Sequence, residues 1–205
     1  PVIEYCVARG ITIIEDCAHT LGGTVDGHQV GTLADAAIFS FNYDKPISLG
    51  WGGVAVINNP SAFDENRSSG YRVPQVEEEM ALLRKFFSAM AERRRMIPYQ
   101  NSVPTRMLRR LRLLRPSTFI KSPTISIGAV QAELGRWCLA QYPHVLKTRN
   151  ANAESFAMNI PQKTWPIEQA AEPAWVKHKV NIPSEHQRRL LSNHLQRKGI
   201  RAGNF

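Results

Sequence analysis

The sequence contains no apolar run that approaches the roughly 20 residues of a membrane-spanning helix, and its start, Pro1 to Tyr5, lacks the basic and apolar regions of a signal peptide. It has 3 cysteines and 6 histidines, and neither set shows the spacing of metal ligands. These absences exclude a membrane-spanning protein and a disulfide-stabilised one. We therefore expect a soluble, cytoplasmic protein whose Cys6, Cys17 and Cys138 are free, buried thiols.

The composition is that of an ordinary globular protein, apart from the distribution of positive charge. With 43% hydrophobic and 21% charged residues, 205 residues suffice for one large or two modest domains. The net charge is +9, yet the segment Arg84 to Lys121, the basic patch, carries 11 basic residues against one acid and is itself +10. A solvated helix face, an anionic membrane surface and nucleotide-sugar phosphates all remain open as explanations. Nucleic acid is disfavoured because no aromatic residues are interleaved with the arginines.

The strongest local pattern lies in residues 36–57. An apolar strand at 36–41 runs into a turn that holds Lys45, three glycines follow within 50–53, and a second strand covers 54–57. A lysine on a glycine-flanked loop at a strand end can approach a flat cofactor and form a Schiff base with it. The alternative is a solvated surface lysine. Upstream, a β-branched strand at 11–15 is followed by Asp16 and then by His19.

Together, residues 13–58, IIEDCAHTLGGTVDGHQVGTLADAAIFSFNYDKPISLGWGGVAVIN, resemble the signature of the DegT/DnrJ/EryC1/StrS family of sugar aminotransferases, which are pyridoxal-phosphate enzymes of fold type I. The specific match covers about residues 1–60, and a looser one runs from about 122 onward. The resemblance implies an α/β fold: part of the fold type I large domain, with a mixed, mostly parallel sheet and helices, followed by an incomplete small α+β domain. We expect the large-domain part at 1–145, with a basic helical insertion at 59–121, and the small domain from 146 to 205.

The resemblance also implies a role for each of four residues. Lys45 holds pyridoxal 5'-phosphate as a Schiff base and moves the proton during transamination, and Asp16 pairs with the pyridine nitrogen. His19 contacts the cofactor near its phenolic oxygen, and Ser40 donates to its phosphate. From the residues alone, other roles stay open: Asp16 as a turn cap, His19 as a structural histidine and Ser40 as a serine bonded to its own backbone.

Two positions depart from the family pattern. Trp51 replaces a residue that is commonly polar after the lysine loop, and Thr124 stands where the family has an asparagine that reaches the partner subunit's phosphate. The chain also begins in a helix without a start signal or an initiator methionine, so we expect a fragment that lacks the family's N-terminal phosphate loop. Arg149 fits a characteristic arginine of the family.

Periodicity and turn signals predict the remaining elements. Asp26-Gly27 predicts a hairpin between short polar strands. Two long helices are expected at 76–95 and 128–159, the second interrupted near Pro143; a strand is expected at 175–182 and a helix at 184–198, capped by Ser184 and stopped by Gly199. The inner stripes expected for the two long helices are, in order, Met80, Leu83, Phe87 and Met90, then Val130, Leu134, Trp137 and Leu146.

The sequence therefore predicts a pyridoxal-phosphate-dependent aminotransferase acting on a keto group of a nucleotide-linked sugar, in polysaccharide or secondary-metabolite biosynthesis. The resemblance implies glutamate or a similar amino donor and a homodimer. Two alternatives are a catalytically silent scaffold of the same fold and a membrane-surface binding protein that uses the basic patch. For the 205-residue chain by itself we expect little activity.

Overall fold

The computed structural model describes residues 2–63, 70–96, 125–159, 171–177 and 180–202, without the side chains of 93–96. It contains four α-helices, a 3-10 turn at Pro60–Ala62 and six strands within these ranges. The helices are α1 (Val2–Val7), α2 (Val76–Met96), α3 (Ala129–Asn159) and α4 (Glu185–Arg197). The strands are β1 (Ile14–Asp16), β2 (Thr24–Val25), β3 (His28–Gln29), β4 (Ala36–Ser40), β5 (Gly53–Ile57) and β6 (Ala171–Glu172).

The first sheet is mixed and has the strand order β1-β4-β5. β1 and β4 are parallel, with Asp16 opposite Ile38, whereas β4 and β5 are antiparallel. One face is covered at Ala37, which is fully buried, while Ile14 and Ile38 on the other face are 56% and 46% exposed. The strands predicted at 36–41 and 54–57 are thus present, and the strand predicted at 11–15 is confined to its last residues and Asp16.

The second sheet, of order β3-β2-β6, joins distant parts of the chain. The predicted hairpin is present: Asp26 and Gly27, with φ of +51° and +77°, form the tight turn between β2 and β3. β6 pairs antiparallel with β2 on its other side. The strand predicted at 175–182 is wrong for residues 175–177, which are irregular. Instead, residues 171–172 form the strand, by pairing with the free edge of β2. This pairing joins distant parts of the chain, so the alternation of neighbouring residues does not predict it.

The helices α2 and α3 are joined by a buried polar contact. Among the described side chains of α2, Leu83 and Phe86 are the buried apolar ones, one and two turns after Glu79, which is fully buried. The Glu79 carboxylate accepts hydrogen bonds from the backbone N–H groups of Val130 and Gln131, at 3.1 and 2.6 Å. These donors belong to the first turn of α3, where a helix has no acceptors of its own.

The predicted stripes of both helices need correction. Phe87 is 44% exposed, because the buried side of α2 is centred on Glu79 and Phe86. Trp137 is 64% exposed, because α3 turns Gly135 and Tyr142 inward. The interruption expected in α3 near its proline is wrong, since the helix runs unbroken through Pro143.

The hydrophobic core lies where α3 crosses the loop after β4. Ile47, Leu49 and Tyr142 form its buried centre. The side chains packed around it are Leu21, Phe41, Leu134, Cys138, Val145 and Leu146. The three cysteines are free thiols, as predicted, but only Cys17 is buried; the prediction of burial is wrong for Cys6 and Cys138, which are half-buried. The domain limits predicted at 145 and 146 fall inside α3, which spans 129–159. They stay a prediction.

The last described helix follows its sequence signals. Ser184 is the N-cap of α4, and its hydroxyl accepts a hydrogen bond from the Gln187 N–H. The helix ends at Arg197, and Gly199 follows the cap residue Lys198 with a φ of +77°. None of the helices in the described ranges is long and apolar enough to cross a membrane.

Candidate active site

The candidate site lies at the carboxyl ends of β1 and β4. Because these strands are parallel and Asp16 is opposite Ile38, Asp16 and Ser40 leave the sheet at the same edge. This is the edge at which open α/β sheets place their ligands. The sheet therefore brings together two of the four predicted site residues, although they are 24 positions apart in the sequence.

The loop that carries Lys45 is fixed at its base by the backbone. Phe41 N–H donates to the Gly52 carbonyl at 3.0 Å, and Leu49 N–H donates to the Phe41 carbonyl at 2.8 Å. Pro46 and Ile47, directly after the lysine, are buried. From α3, the Arg149 guanidinium donates to the Pro46 carbonyl at 3.3 Å, so the predicted family arginine contacts the lysine loop.

Lys45 meets His19 within this loop. Its Nζ lies 2.8 Å from the His19 Nε2. Partial burial lowers the pKa of His19 below its ordinary value of 6.5, and the charges of Lys45 and Lys177 lower it further, while Asp44 and Asp16 oppose them. The imidazole is therefore neutral at pH 7, and as a neutral ring it can accept a hydrogen bond from the ammonium group.

Asp16 and Ser40 each make one local contact and keep further hydrogen-bonding capacity. Asp16 Oδ1 accepts from the Ala18 N–H at 3.1 Å, which is the turn cap that the sequence left open. Ser40 Oγ accepts from the Asn42 N–H at 3.4 Å. Among the described residues, neither Asp16 Oδ2 nor the hydroxyl proton of Ser40 has a partner. Both groups can therefore serve a ligand as well as the backbone.

A second carboxylate, Glu15, organises the loop before β4. It accepts hydrogen bonds from the N–H groups of Gly31, Leu33 and Ala34, at 2.9, 2.8 and 3.1 Å. Asp35 then accepts from the Ile13 N–H at 2.9 Å, which helps to hold its pKa below the ordinary range. Sequence reasoning missed both roles; an acid at the end of β1 followed by the turn 31–34 was the only signal.

Sequence reasoning also missed a charged cluster from the end of the described chain. Lys177 Nζ lies 3.2 Å from Asp44 Oδ2, and an Arg201 nitrogen lies 3.9 Å from the same oxygen. Arg201 also donates to the Tyr43 hydroxyl at 2.8 Å. No local signal could have revealed these contacts, because they join residues up to 158 positions apart.

Of the two departures from the family pattern, the structure accounts for one. Trp51 is 4% exposed, and its indole N–H donates to the Ser126 carbonyl at 3.4 Å. It is therefore a core residue. Thr124 lies outside the described residues, as does most of the basic patch, from residue 97 onward. The proposed partners of that patch stay predictions.

Comparison with known proteins agrees with the sequence resemblance. In a Vibrio cholerae GDP-perosamine synthase, 62 residues are 40% identical to this chain, which is 30% of the chain and 17% of that protein. A Campylobacter jejuni UDP-4-amino-4,6-dideoxy-N-acetyl-beta-L-altrosamine transaminase is 47% identical over 49 residues, 24% of the chain and 13% of that protein. The chain thus spans less than a fifth of these relatives in the matched segments.

The solved structure of the aminotransferase TlmJ from Streptoalloteichus hindustanus matches the whole chain, with a TM-score of 0.59, 19% identity and 47% of that protein covered. A DegT DnrJ EryC1 StrS aminotransferase from Brucella abortus gives a TM-score of 0.56 at 20% identity, over 98% of this chain and 44% of that one. The fold is therefore that of these aminotransferases, and the predicted fold class is confirmed.

The fold and the matches thus define an aminotransferase-type α/β chain. The model of the DegT/DnrJ/EryC1/StrS aminotransferase family matches residues 1–205, and the chain belongs to this family. The family depends on pyridoxal phosphate, so the cofactor predicted from the sequence is confirmed at the level of the family.

Proposed function

We propose that the full-length protein is a pyridoxal-phosphate-dependent transaminase that transfers an amino group to a keto carbon of a nucleotide-linked sugar. The contact between Lys45 Nζ and His19 Nε2, at 2.8 Å beside the carboxyl ends of two parallel strands, carries this proposal. Family membership supports the reaction class, and the named relatives, a GDP-perosamine synthase and a UDP-aminosugar transaminase, support the sugar substrate.

The residues at the site fit pyridoxal phosphate by the chemistry of their donor set. A primary amine, Lys45, suits the aldehyde, and a carboxylate, Asp16, suits the ring nitrogen. A hydroxyl, Ser40, suits the phosphate without adding charge. Asp16 Oδ2 and the Ser40 hydroxyl proton keep the hydrogen-bonding capacity that these roles require. When bound, the cofactor supplies an electron sink for the substrate carbon that loses its proton.

Each residue then performs a defined task. Lys45 would hold the cofactor covalently through Nζ, and its free amine would move a proton to and from the substrate carbon. The carboxylate of Asp16 would favour the protonated ring nitrogen by its charge. His19, neutral at pH 7, accepts a hydrogen bond from Lys45 Nζ and thereby orients the amine. Ser40 would donate a hydrogen bond from its hydroxyl to the phosphate.

The test uses full-length protein, pyridoxal phosphate and borohydride reduction, followed by peptide mass spectrometry. We expect a reduced pyridoxyl group on Lys45 in the wild type and none at this position in Lys45→Ala. Lys147→Ala, an exposed lysine on α3, is the matched control and should label as the wild type does. A wild type without label at Lys45, under conditions in which the protein is folded, would refute the proposal.

The finer assignments rest on the family resemblance. We infer glutamate or a similar amine as donor, a homodimer as the functional unit and a cytoplasmic location. Formation of 2-oxoglutarate from glutamate in the presence of a nucleotide-linked keto sugar would test the donor. Sedimentation equilibrium of the full-length protein would test the dimer.

The first alternative function is a catalytically silent scaffold of the same fold. Trp51, a departure from the family pattern, packs in the protein interior and gives this alternative no support. Transamination by the full-length protein would exclude it. The membrane alternative depends on the basic patch, and pelleting with anionic vesicles, compared with neutral ones, tests it separately.

A further inference from the structure

Asp44, the residue directly before Lys45, has an unusual backbone and two cationic neighbours. Its φ is +57°, a left-handed conformation that few residues other than glycine, asparagine and aspartate adopt easily. Its Oδ2 lies 3.2 Å from Lys177 Nζ and 3.9 Å from an Arg201 nitrogen. Arg201 also lies over the Tyr43 ring, with its guanidinium carbon 5.1 Å from the ring centre.

The two sides of Lys45 are held in different ways. After the lysine, Pro46 and Ile47 are buried, and Ile47 belongs to the hydrophobic core. Before the lysine, Asn42 is exposed and Asp44 is half-buried. On this side the long-range contacts come from polar groups of residues 177 and 201. The backbone before Lys45 is therefore held by ion pairs, whereas the backbone after it is held by packing and by the Arg149 hydrogen bond to the Pro46 carbonyl.

We propose that Asp44 is a positioning residue: held by Lys177 and Arg201, it fixes the backbone that presents Lys45 to His19 and balances the positive charge around that histidine. This inference rests on the proposed function, in which Lys45 is the catalytic amine. Asp44 acts indirectly, because it determines the position of the Lys45 amine. It also links the lysine loop to the segment that follows β6.

The charges of Asp44 and Lys177 should shift the pKa of His19 in opposite directions, so their removal can be compared. Apart from burial, the charges that act on His19 are Lys45 and Lys177, which lower its pKa, and Asp44 and Asp16, which raise it. Removing the Asp44 charge should therefore lower the pKa of His19. Removing the Lys177 charge should raise it. A purely structural disturbance of the loop would not produce two shifts of opposite sign.

The variants are Asp44→Asn and Lys177→Gln, made in the full-length protein. Asparagine tolerates the left-handed conformation, so Asp44→Asn removes the charge while the backbone can keep its positive φ. Asp26→Asn is the matched control, because Asp26 also has a positive φ, of +51°, and has no ion pair among the described residues. All three are compared with the wild type.

Two measurements need no cofactor. The first is the pH dependence of His19 modification by diethyl pyrocarbonate, followed by peptide mass spectrometry, which reports its pKa. The second is hydrogen exchange of the amides at 42–45. We expect the two opposite pKa shifts, and exchange about fivefold faster in Asp44→Asn, the effect of losing two partly exposed ion pairs. Asp26→Asn should change neither. An unchanged His19 pKa and unchanged exchange in Asp44→Asn would overturn the proposal.

A third measurement separates this inference from the proposed function. We expect borohydride to fix pyridoxal phosphate on Lys45 about fivefold more slowly in Asp44→Asn than in the wild type. Equal labelling rates in the two proteins would refute the positioning role and leave the proposed function intact. Absence of label in the wild type would refute the proposed function, and the two cofactor-free measurements would still decide whether Asp44 positions the loop.

Discussion

Replacing Glu79 by glutamine should destabilise the protein although the two side chains have the same shape. The Glu79 carboxylate is fully buried and accepts from two backbone N–H groups at the start of α3, those of Val130 and Gln131. A glutamine amide offers one oxygen and one NH₂ group. One of the two helix donors therefore loses its acceptor and faces another donor.

The magnitude follows from these contacts. A buried donor left without a partner costs about 1–3 kcal/mol. Loss of a negative charge at a helix N-terminus costs a further ~0.3–1 kcal/mol, and the lower cost of burying a neutral group offsets part of this. We therefore expect Glu79→Gln to lower the free energy of unfolding by about 2 kcal/mol. Its neighbour Glu77 is exposed, so Glu77→Gln, in the same turn of α2, should cost under about 0.5 kcal/mol.

Urea unfolding followed by circular dichroism gives the free energies, and hydrogen exchange localises the effect. In Glu79→Gln the amides of Val130 and Gln131 should exchange faster by about 10-fold or more. Equal stability of Glu79→Gln and Glu77→Gln would refute the reasoning.

A double-mutant cycle with Gly128 sharpens the test. A Cβ atom on Gly128 would overlap the Glu79 carboxylate, so Gly128→Ala should be destabilising in the wild type. In a Glu79→Ala background the overlap is gone. The loss of unfolding free energy caused by Gly128→Ala should then be smaller by about 1 kcal/mol or more. Additive costs for the two substitutions would show that these groups do not meet.

Three other perturbations have defined outcomes. Because the pKa of His19 is lowered on folding, the unfolded state binds more protons below about pH 6.5, and stability should fall as the pH drops from there through the folded-state pKa. In urea titrations at a series of pH values, His19→Asn should weaken this dependence of stability on pH below about pH 6.5. Gly31→Ala should cost about 2–3 kcal/mol in unfolding free energy, since φ is +93° and the new Cβ would lie 2.6 Å from the Phe39 ring; a stable variant would refute this close approach. Trp51→Gln, which places a polar side chain at this position, should lower the free energy of unfolding by about 3 kcal/mol, because it leaves the core beside Ser126 underfilled. Thermal unfolding measures this change, and a stabilised variant would contradict the core assignment.

Local signals predicted most of the helices and strands, because those signals act over a few residues. The hairpin turn at Asp26, the cap at Ser184 and the strands at 36–41 and 54–57 each have a local chemical cause, and each is present. The inner stripes were less predictable. Trp137 is apolar and at helical spacing, yet it is exposed, because which side of α3 faces inward is decided by the elements against it.

The site was predictable in its residue types and not in its contacts. A family signature identified Asp16, His19, Ser40 and Lys45 as candidates, and their assigned roles stay predictions. The distance between His19 and Lys45 depends on the parallel pairing of β1 and β4, which no local pattern contains. The contacts of Lys177 and Arg201 with the lysine loop depend on still more distant parts of the chain.

The pairing of β6 with β2 has a consequence for biosynthesis. Thr24 is opposite Glu172, so the second sheet cannot be completed until residue 172 has left the ribosome, although the β2–β3 hairpin can form earlier. Arg201, which contacts Tyr43, emerges later still. Contacts of such long sequence separation form slowly, and domains assemble as synthesis proceeds. The lysine loop is therefore synthesised early, and a nascent chain that stalls before residue 177 would carry Lys45 without the ion pairs that Lys177 and Arg201 make with Asp44.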